Sequence, residues 1–303
     1  MTQRHLARKQ KKETPKKSKG IRFWVLFFLI PITLYFFAPS SWDNKNSLSL
    51  VIAGEDEVQL VIFDPDLSKV STLHIPGNTQ VTASHQLGTW KLGSIWQLGQ
   101  QEKLKGNLLA STIAKSFGVP VDDWAASEAK NLISKNQLNQ IKSIFTPFST
   151  SLTFKDKIKL AVFSFQNRSN QLNIDLESTA FLQKTRLVSG EEGYLIRSEV
   201  PPQILHLFAD PKIINEAARI GLVNSTGSKQ LPLELSKLID ALGSKVYFIK
   251  DSEPADFDCK IISPKKSYTA ERLSHLLGCM SSIENTNNLD ITITLGESFA
   301  KKF

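Results

Sequence analysis

The sequence has 303 residues, of which 41% are hydrophobic and 22% are charged, and this composition excludes collagen, mucin and whole-chain disorder. The formal net charge of +8 arises at the start of the chain, where residues 1–22 hold nine Lys/Arg and one acidic residue. The remainder holds 28 residues of each sign. The basic balance therefore describes a tail and gives no indication of a nucleic-acid-binding domain.

A single segment, residues 21–39, is apolar enough to cross a membrane. As a helix, its run of about eighteen apolar residues spans about 27 Å, and Trp24 and Tyr35 lie near its two edges, as interfacial aromatic residues do. By the positive-inside rule, we expect residues 1–20 to be cytoplasmic and the rest of the chain to be extracytoplasmic at the cell membrane. The alternative is a cleaved signal peptide, since residues 38–40 (APS) are small; the length of the apolar run favours an uncleaved signal anchor.

Three strands are predicted next, over residues 48–53, 58–64 and 69–75, because runs of Val, Ile and Phe are separated there by turn residues. A helix within residues 106–124 has Leu and Ile at helical spacing and ends at Gly118.

The middle of the chain has a mostly helical pattern. Helices are predicted over residues 126–145 and 152–167, followed by a strand over residues 171–177. Residues 178–215 have no clear periodicity and receive no assignment.

The sequence contains none of the common catalytic or metal-binding motifs. Its five histidines are scattered, and it has no H-x-x-x-H, C-x-x-C, G-x-S-x-G or Walker pattern. Asp122 and Asp123 are adjacent, so their side chains point in different directions, and they indicate the start of a helix rather than a catalytic pair. No metal site is predicted.

The order of these elements resembles the first half of the LytR-CpsA-Psr domain, over about residues 47–125. The resemblance is carried by residues 64–70 (DPDLSKV), by residues 75–81 (IPGNTQV) and by residues 117–122 (FGVPVD). It implies an extracytoplasmic α/β domain with a mixed sheet flanked by helices. It also implies the family's role, the transfer of glycopolymers from a polyprenyl-pyrophosphate carrier to the cell wall.

The resemblance fails where the family has its catalytic residues. Gly77 and Asn78 stand where the family has an Arg and an Asp that contact pyrophosphate and help to hold a divalent metal. Glycine carries no charge, and asparagine is a weak, neutral ligand. Beyond Arg168, residues 125–175 also lack the family's arginine-rich segment. The resemblance therefore implies the architecture without the catalysis. No cofactor is expected, and Mg²⁺ is implied only if the protein is a phosphotransferase.

A degenerate anion site remains one interpretation of this region. Lys91 lies where the family has a lysine, and Gly77, Asn78 and Thr79 offer backbone N–H groups to an anion. The alternative, which we favour, is that these are ordinary turn residues and that Lys91 is solvated. Trp90 and Trp96 are expected in the core rather than on a surface that stacks against sugar or lipid.

The last ninety residues alternate strands and helices. Strands are predicted over residues 218–226, 244–251, 259–265 and 289–299, and helices over residues 230–243 and 267–279. This order indicates a small α+β domain with helices on one face of a sheet. With the opening 223–227 (VNSTG) and the closing 290–296 (DITITLG), it resembles the LytR C-terminal domain, for which no chemistry is implied.

Cys259 and Cys279 are the two cysteines of the sequence. Cys259 opens a predicted strand and Cys279 follows the helix that returns along it, so the two Cα atoms are expected within bridging range. An extracytoplasmic compartment permits oxidation, and a disulfide is predicted. The alternative is two small buried thiols.

The sequence thus predicts two extracytoplasmic domains, a degenerate LytR-CpsA-Psr-like one over residues 44–215 and a LytR C-terminal-like one over residues 217–303. The expected function is that of a non-catalytic cell-envelope protein that binds or organises wall polymer or its polyprenyl-phosphate lipid. The alternative is a divergent phosphotransferase that uses Lys91 and backbone amides. The expected partners include the lipid bilayer, through residues 21–39, and exclude nucleic acid.

Overall fold

The computed structural model describes residues 40, 42–187, 190–197, 199–285 and 289–303. The predicted anchor and basic tail lie outside the described residues. None of the helices in the described part of the chain has the length and hydropathy that a bilayer span requires. From Ser40 to Phe303 the described residues form one compact unit with three sheets.

The first sheet contains the three strands that the sequence predicts. They form an antiparallel meander, and two further strands pair in parallel at its edges. In the order β6-β1-β2-β3-β7, the bounds are β6 Asp123–Ala125, β1 Leu48–Ile52, β2 Glu57–Asp64, β3 Lys69–Pro76 and β7 Gln171–Asp175. Apolar side chains from both faces of the central strands are buried, as expected for a sheet covered on both sides.

Four helices lie between β3 and β7 in the chain: α1 Ile95–Gln101, α2 Asn107–Phe117, α3 Gln137–Phe145 and α4 Phe154–Gln166. Gly118 ends α2 in the left-handed region, at φ 63°, where glycine has little strain. The single helix predicted over residues 126–145 is wrong: a 3-10 turn ends before Ser134. Asn136 then starts α3 by accepting a hydrogen bond from the Leu138 N–H.

The second sheet comes largely from the segment that has no clear sequence pattern. Its order is β5-β4-β9-β8, with bounds β4 Thr79–Thr82, β5 Thr89–Lys91, β8 Leu182–Arg186 and β9 Glu192–Ile196. Strand β9 pairs in parallel with β4 at Thr79 and Gln80. This pairing brings residues beyond 180 beside the loop that follows β3. Two short helices, α5 Pro202–Leu205 and α6 Pro211–Glu216, complete the segment.

The third sheet lies in the C-terminal part, in the order β11-β10-β14-β12-β13. Its strands are β10 Arg219–Ser225, β11 Lys245–Asp251, β12 Cys259–Ser263, β13 Met280–Ile283 and β14 Ile291–Gly296; the helices are α7 Leu231–Ala241, α8 Tyr268–Leu277 and α9 Glu297–Lys302. Strand β13 has no counterpart among the predicted elements, and the strand predicted over residues 289–299 is wrong at its end, because it stops at Gly296 and α9 begins at Glu297. A disulfide joins Cys259 to Cys279, with their Cα atoms 4.9 Å apart, and so ties the start of β12 to the end of α8.

A buried ion pair connects the first sheet to this C-terminal part. The Asp122 carboxylate accepts hydrogen bonds from the guanidinium of Arg272, one of them at 2.9 Å, and from the N–H and hydroxyl of Ser49 at 2.8 and 2.9 Å. Only 4% of the Asp122 side chain and 11% of the Arg272 side chain are exposed. The prediction that Asp122 and Asp123 start a helix is wrong, because Asp123 instead begins β6 opposite Leu50.

The pKa of each partner follows from this pairing. Burial alone raises the pKa of Asp122, but the Arg272 charge and the hydrogen bonds from Ser49 outweigh burial and hold that pKa below its usual range. Burial alone lowers the pKa of Arg272, and the Asp122 carboxylate outweighs it and raises that pKa. Both groups are therefore charged at neutral pH, and each depends on the other.

The pKa of Asp123, the next residue, is shifted in the opposite direction from that of Asp122. Burial raises the pKa of Asp123 to about 6; the hydrogen bond from Ser151 and the charge of His275 lower it, while Asp122 and Asp156 raise it. Its Oδ1 accepts the Ser151 hydroxyl at 2.7 Å, and among the described residues Oδ2 has no hydrogen-bond partner. Ionisation of Asp123 is therefore costly to the folded state.

We expect Arg272→Met to lower the free energy of unfolding by about 3–5 kcal/mol, because it leaves the Asp122 carboxylate buried without a counter-charge. Asp122→Asn in the same chain should restore most of the loss. Lys260→Met is the matched control: the Lys260–Glu284 pair is 40% and 50% exposed, and its loss should cost under about 1 kcal/mol. Urea denaturation measures all four proteins. Equal losses in the two Met variants would contradict the assignment.

Asp123→Asn should change the pH dependence of stability. Between pH 4 and 6 the folded protein holds a proton on Asp123 that the unfolded chain has lost, so wild-type stability falls as the pH rises through that window. The asparagine variant does not titrate. Its stability relative to wild type should therefore rise by about 2–3 kcal/mol from pH 4.5 to pH 7.5, measured by denaturation at both pH values. A constant difference would show that Asp123 has an ordinary pKa.

Candidate functional site

A polar hollow of about 570 Å³ lies beside the end of β3 and the start of α1. Gly77, Asn78 and Lys91, three of the four candidate anion-binding residues, line it. The fourth, Thr79, is fully buried at the start of β4, and among the described residues its hydroxyl oxygen has no hydrogen-bond partner. The structure thus brings Gly77, Asn78 and Lys91 together at one surface, whereas Thr79 is buried away from it.

Gly77 allows three backbone segments to pack closely. A Cβ atom on Gly77 would lie 1.8 Å from the carbonyl oxygen of Glu55, and one on Gly93 would lie 2.0 Å from the same oxygen. The Gly77 N–H donates to the Asp56 carbonyl at 2.6 Å, and the Gly93 N–H donates to the Gly77 carbonyl at 2.8 Å. These two amides are therefore engaged within the protein. In this backbone conformation, position 77 accommodates no residue larger than glycine.

Asn78 and Lys91 are also engaged by neighbouring groups. The side-chain amide of Asn78 donates to the backbone carbonyl of Glu192 at 3.1 Å, and the backbone carbonyl of Asn78 accepts the Tyr194 N–H at 3.3 Å. The Lys91 ammonium forms an ion pair with Glu191. The side chain of Glu191 is 62% exposed, so this pair is a surface interaction of small energy. It nevertheless reduces the positive charge that Lys91 presents to a ligand.

Carboxylates dominate the charge of the hollow. Glu55, Asp56 and Glu177 line it, whereas Lys91 is the one basic side chain among its described lining residues. Tyr194, on β9, donates its hydroxyl to Glu177, and this hydrogen bond raises the pKa of Tyr194 to about 12. The tyrosine is therefore a hydrogen-bond donor at neutral pH. The net charge at the site is negative.

The hollow continues into a second one of about 640 Å³, which shares Glu55, Gly93 and Gln97 with it. We call the two together the polar groove. Its further lining is mostly uncharged: Trp96, Gln100, Gln101, Ala126 and Ser127, with one more carboxylate, Glu128. Amide and hydroxyl groups next to an indole ring suit a ligand rich in hydroxyl groups.

Trp96 is half-buried and packs edge-on against Trp124, with ring centroids 5.7 Å apart. The Trp124 indole is fixed in turn, because its N–H donates to Asn107 at 2.6 Å. The prediction that Trp90 belongs to the core is wrong. Trp90 is 41% exposed, since it lies on the edge strand β5, where its indole N–H donates to the Leu87 carbonyl.

Sequence reasoning missed Glu177, Glu191 and Tyr194 as parts of this site. The segment that holds the last two has no hydrophobic period, and the parallel pairing of β9 with β4 is the one feature that places it here. Within the described residues no group of three or more His, Cys, Asp or Glu side chains has the geometry to hold a metal ion.

No protein-family model and no curated protein matches the chain. Among solved structures, it is similar to the Lin1025 protein from Listeria innocua, at 14% identity over 50% of this chain and 92% of that one, with a TM-score of 0.37. It is also similar to B. subtilis TagT, at 15% identity over 52% and 88% of the two chains, with a TM-score of 0.38.

A further structure of this set is described as a LytR-CPS2A-psr family protein, YwtF (TagT), with bound octaprenyl pyrophosphate lipid. The identity is 16% over 52% of this chain and 87% of that one, and the TM-score is 0.37. The family printed for YwtF (TagT) is the one that the sequence motifs of this chain also resemble.

Proposed function

We propose that this protein is a membrane-anchored, extracytoplasmic binding protein of the cell envelope, without transferase activity. Its ligand is a wall glycan, held in the polar groove. The observation that carries the proposal is the charge of the groove. Glu55, Asp56 and Glu177 line it, and its one basic residue among those described, Lys91, is paired with Glu191.

A pyrophosphate group fits poorly in these surroundings. Its charge would lie close to three carboxylates, and proteins usually bind such groups with charge-assisted, bidentate contacts from arginine. Gly77 offers neither a side chain nor a spare amide, because its N–H is engaged by the Asp56 carbonyl. A single paired lysine does not offset this repulsion.

A glycan with free amino groups fits better. Carboxylates accept hydrogen bonds from sugar hydroxyls and attract ammonium groups. The amides of Gln100 and Gln101 supply both donors and acceptors, while the Gln97 amide donates to Glu55 at 2.8 Å. The half-buried indole of Trp96 offers apolar surface for a sugar ring. The alternative function is phosphotransfer from a polyprenyl-pyrophosphate carrier, with Lys91 as the phosphate contact and Mg²⁺ as an added requirement.

Calorimetry on the full-length chain in detergent tests both functions. We expect oligomers of glucosamine to bind and polyprenyl pyrophosphate not to bind, with or without Mg²⁺. Glu55→Gln should weaken binding of the glucosamine oligomer about tenfold, since it removes one charge-assisted contact. Glu253→Gln, at an exposed position outside the groove, is the matched control. Binding of polyprenyl pyrophosphate that is lost in Lys91→Ala would overturn the proposal in favour of the transferase.

Gly77→Arg tests whether the family's arginine is compatible with this site. Because the new Cβ would lie 1.8 Å from the Glu55 carbonyl oxygen, the backbone must move, and we expect the free energy of unfolding to fall by at least about 2 kcal/mol. The variant should also not gain pyrophosphate binding. Gly190→Arg is the control, since a Cβ at Gly190 meets nothing within 4 Å; its φ of 85° adds strain of about 1 kcal/mol. A Gly77→Arg variant as stable as wild type would contradict the packing argument.

A further inference from the structure

Helices α3 and α4 present an exposed apolar surface. Of the sixteen large hydrophobic side chains that are exposed among the described residues, six lie on these two helices: Leu138, Ile141, Phe145, Phe154, Val162 and Phe165. The rings of Phe145 and Phe154, at the end of α3 and the start of α4, lie 6.1 Å apart and join the two helices. We call these six side chains the α3–α4 face. Contiguous apolar surface of this kind marks a contact with another surface.

The exposed residues of α4 form one side of an amphipathic helix. Leu160 and Phe163 are buried against the first sheet. At about 100° per residue, Phe154, Val162 and Phe165 fall within an arc of about 80° on the other side of the helix. Their exposure is therefore a continuous stripe, as in helices that lie in a membrane interface.

Positive charge accompanies this face. Residues 134–170, which contain both helices, hold six basic residues and one acidic residue, Asp156, which is fully buried. Lys135, Lys142 and Arg168 are exposed. Since the chain beyond residue 22 has no net charge as a whole, this excess is local. Basic side chains beside exposed Phe and Leu are typical of surfaces that bind anionic lipid.

The chain enters the described part of the structure beside α4. Ser40 directly follows the predicted anchor, residues 21–39, in the sequence. Its hydroxyl donates to the Asp156 carboxylate at 2.6 Å and accepts from the Lys159 ammonium at 2.7 Å. Asp156 and Lys159 both belong to α4. The point at which the chain would leave a bilayer is therefore fixed to a helix that carries half of the α3–α4 face.

We propose that the α3–α4 face docks on the extracytoplasmic surface of a bilayer that contains anionic lipid. The proposal rests on the membrane anchor of the proposed function. The apolar side chains enter the boundary between head groups and acyl chains, and the lysines and Arg168 contact the lipid phosphates. A soluble polyanion would match the charges but would leave the six apolar side chains in water. The anchor keeps the face within reach of the lipid, so a weak interaction is enough.

Docking in this way gives the protein a fixed orientation. Successive residues of β1 point to opposite faces of the first sheet: Leu50 is in the buried cluster that contains Phe163 of α4, and Val51 is in the cluster that contains Ile95 of α1. Helix α1 therefore covers the other side of the sheet from α4. Since α1 lines the polar groove, docking turns this wall of the groove away from the lipid and towards the cell wall.

Lipid contact can be measured on the full-length chain in vesicles of equal parts phosphatidylglycerol and phosphatidylcholine. Cys259 and Cys279 are bonded to each other, so Ile141→Cys gives a single free thiol for the environment-sensitive fluorophore NBD. Leu233→Cys is the matched control, because Ile141 and Leu233 are both 56% exposed and Leu233 lies on α7. We expect spin-labelled lipid to quench the probe at position 141 at least about threefold more than the probe at position 233. Equal quenching would overturn the proposal.

Charge reversal tests the role of anionic lipid. Lys135→Glu with Lys142→Glu should reduce quenching of the probe at position 141 at least about twofold, because each substitution replaces attraction to the lipid by repulsion. Lys229→Glu with Lys265→Glu, at exposed positions outside the face, is the control and should leave the quenching unchanged. Circular dichroism checks that each variant is folded. An equal reduction in both pairs would overturn the proposal.

Washing the vesicles with alkaline carbonate separates this inference from the anchor. A chain that is retained without quenching at position 141 overturns the docking and leaves the anchor in place. A chain that the wash removes overturns the anchor, while quenching before the wash still supports the docking. A second copy is the alternative occupant: a dimer in detergent that Leu138→Asp dissociates, measured by sedimentation velocity, would assign the face to that copy and overturn the proposal.

Discussion

A carboxylate at the edge of the first sheet is neutralised by a guanidinium 150 residues further along the chain. Asp122 and Arg272 are both buried, and neither charge is tolerated there without the other. Their pairing fixes the start of β6 against helix α8. Strand β6 in turn holds Trp124, against which Trp96 of the polar groove packs. One ion pair thus supports a wall of the groove, although it lies outside it.

Hydrophobic packing also joins the first sheet and its helices to the C-terminal part of the chain. One cluster of buried side chains includes Leu109 of α2, Leu238 of α7 and Leu295 of β14, so the two predicted domains contribute to a single core. The buried Asp123 beside the ion pair makes this junction sensitive to pH, because its ionisation is opposed by its surroundings. The stabilising Asp122–Arg272 pair therefore lies next to Asp123, whose ionisation is unfavourable, and the apolar core compensates for the cost of burying Asp123.

Local patterns in the sequence predict local structure well. The meander β1 to β3 and the end of α2 at Gly118 follow from turn residues and hydrophobic period, which act over a few neighbouring positions. The groove follows from distant contacts. Nothing near Tyr194 indicates that its strand pairs with Thr79, more than 110 residues earlier. The charge of the site depends on Glu177 as well as on Glu55, so motifs along the chain do not predict it.

Gly77 has a consequence for how this protein can change over many generations. Its missing side chain is filled by the Glu55 carbonyl, so a larger residue is tolerated at position 77 only after the turn before β2 has moved away. The order of substitutions is then constrained, because changes in the turn must come first. In a chain with this backbone, a single substitution at position 77 therefore carries a cost in stability that only a change in the turn removes.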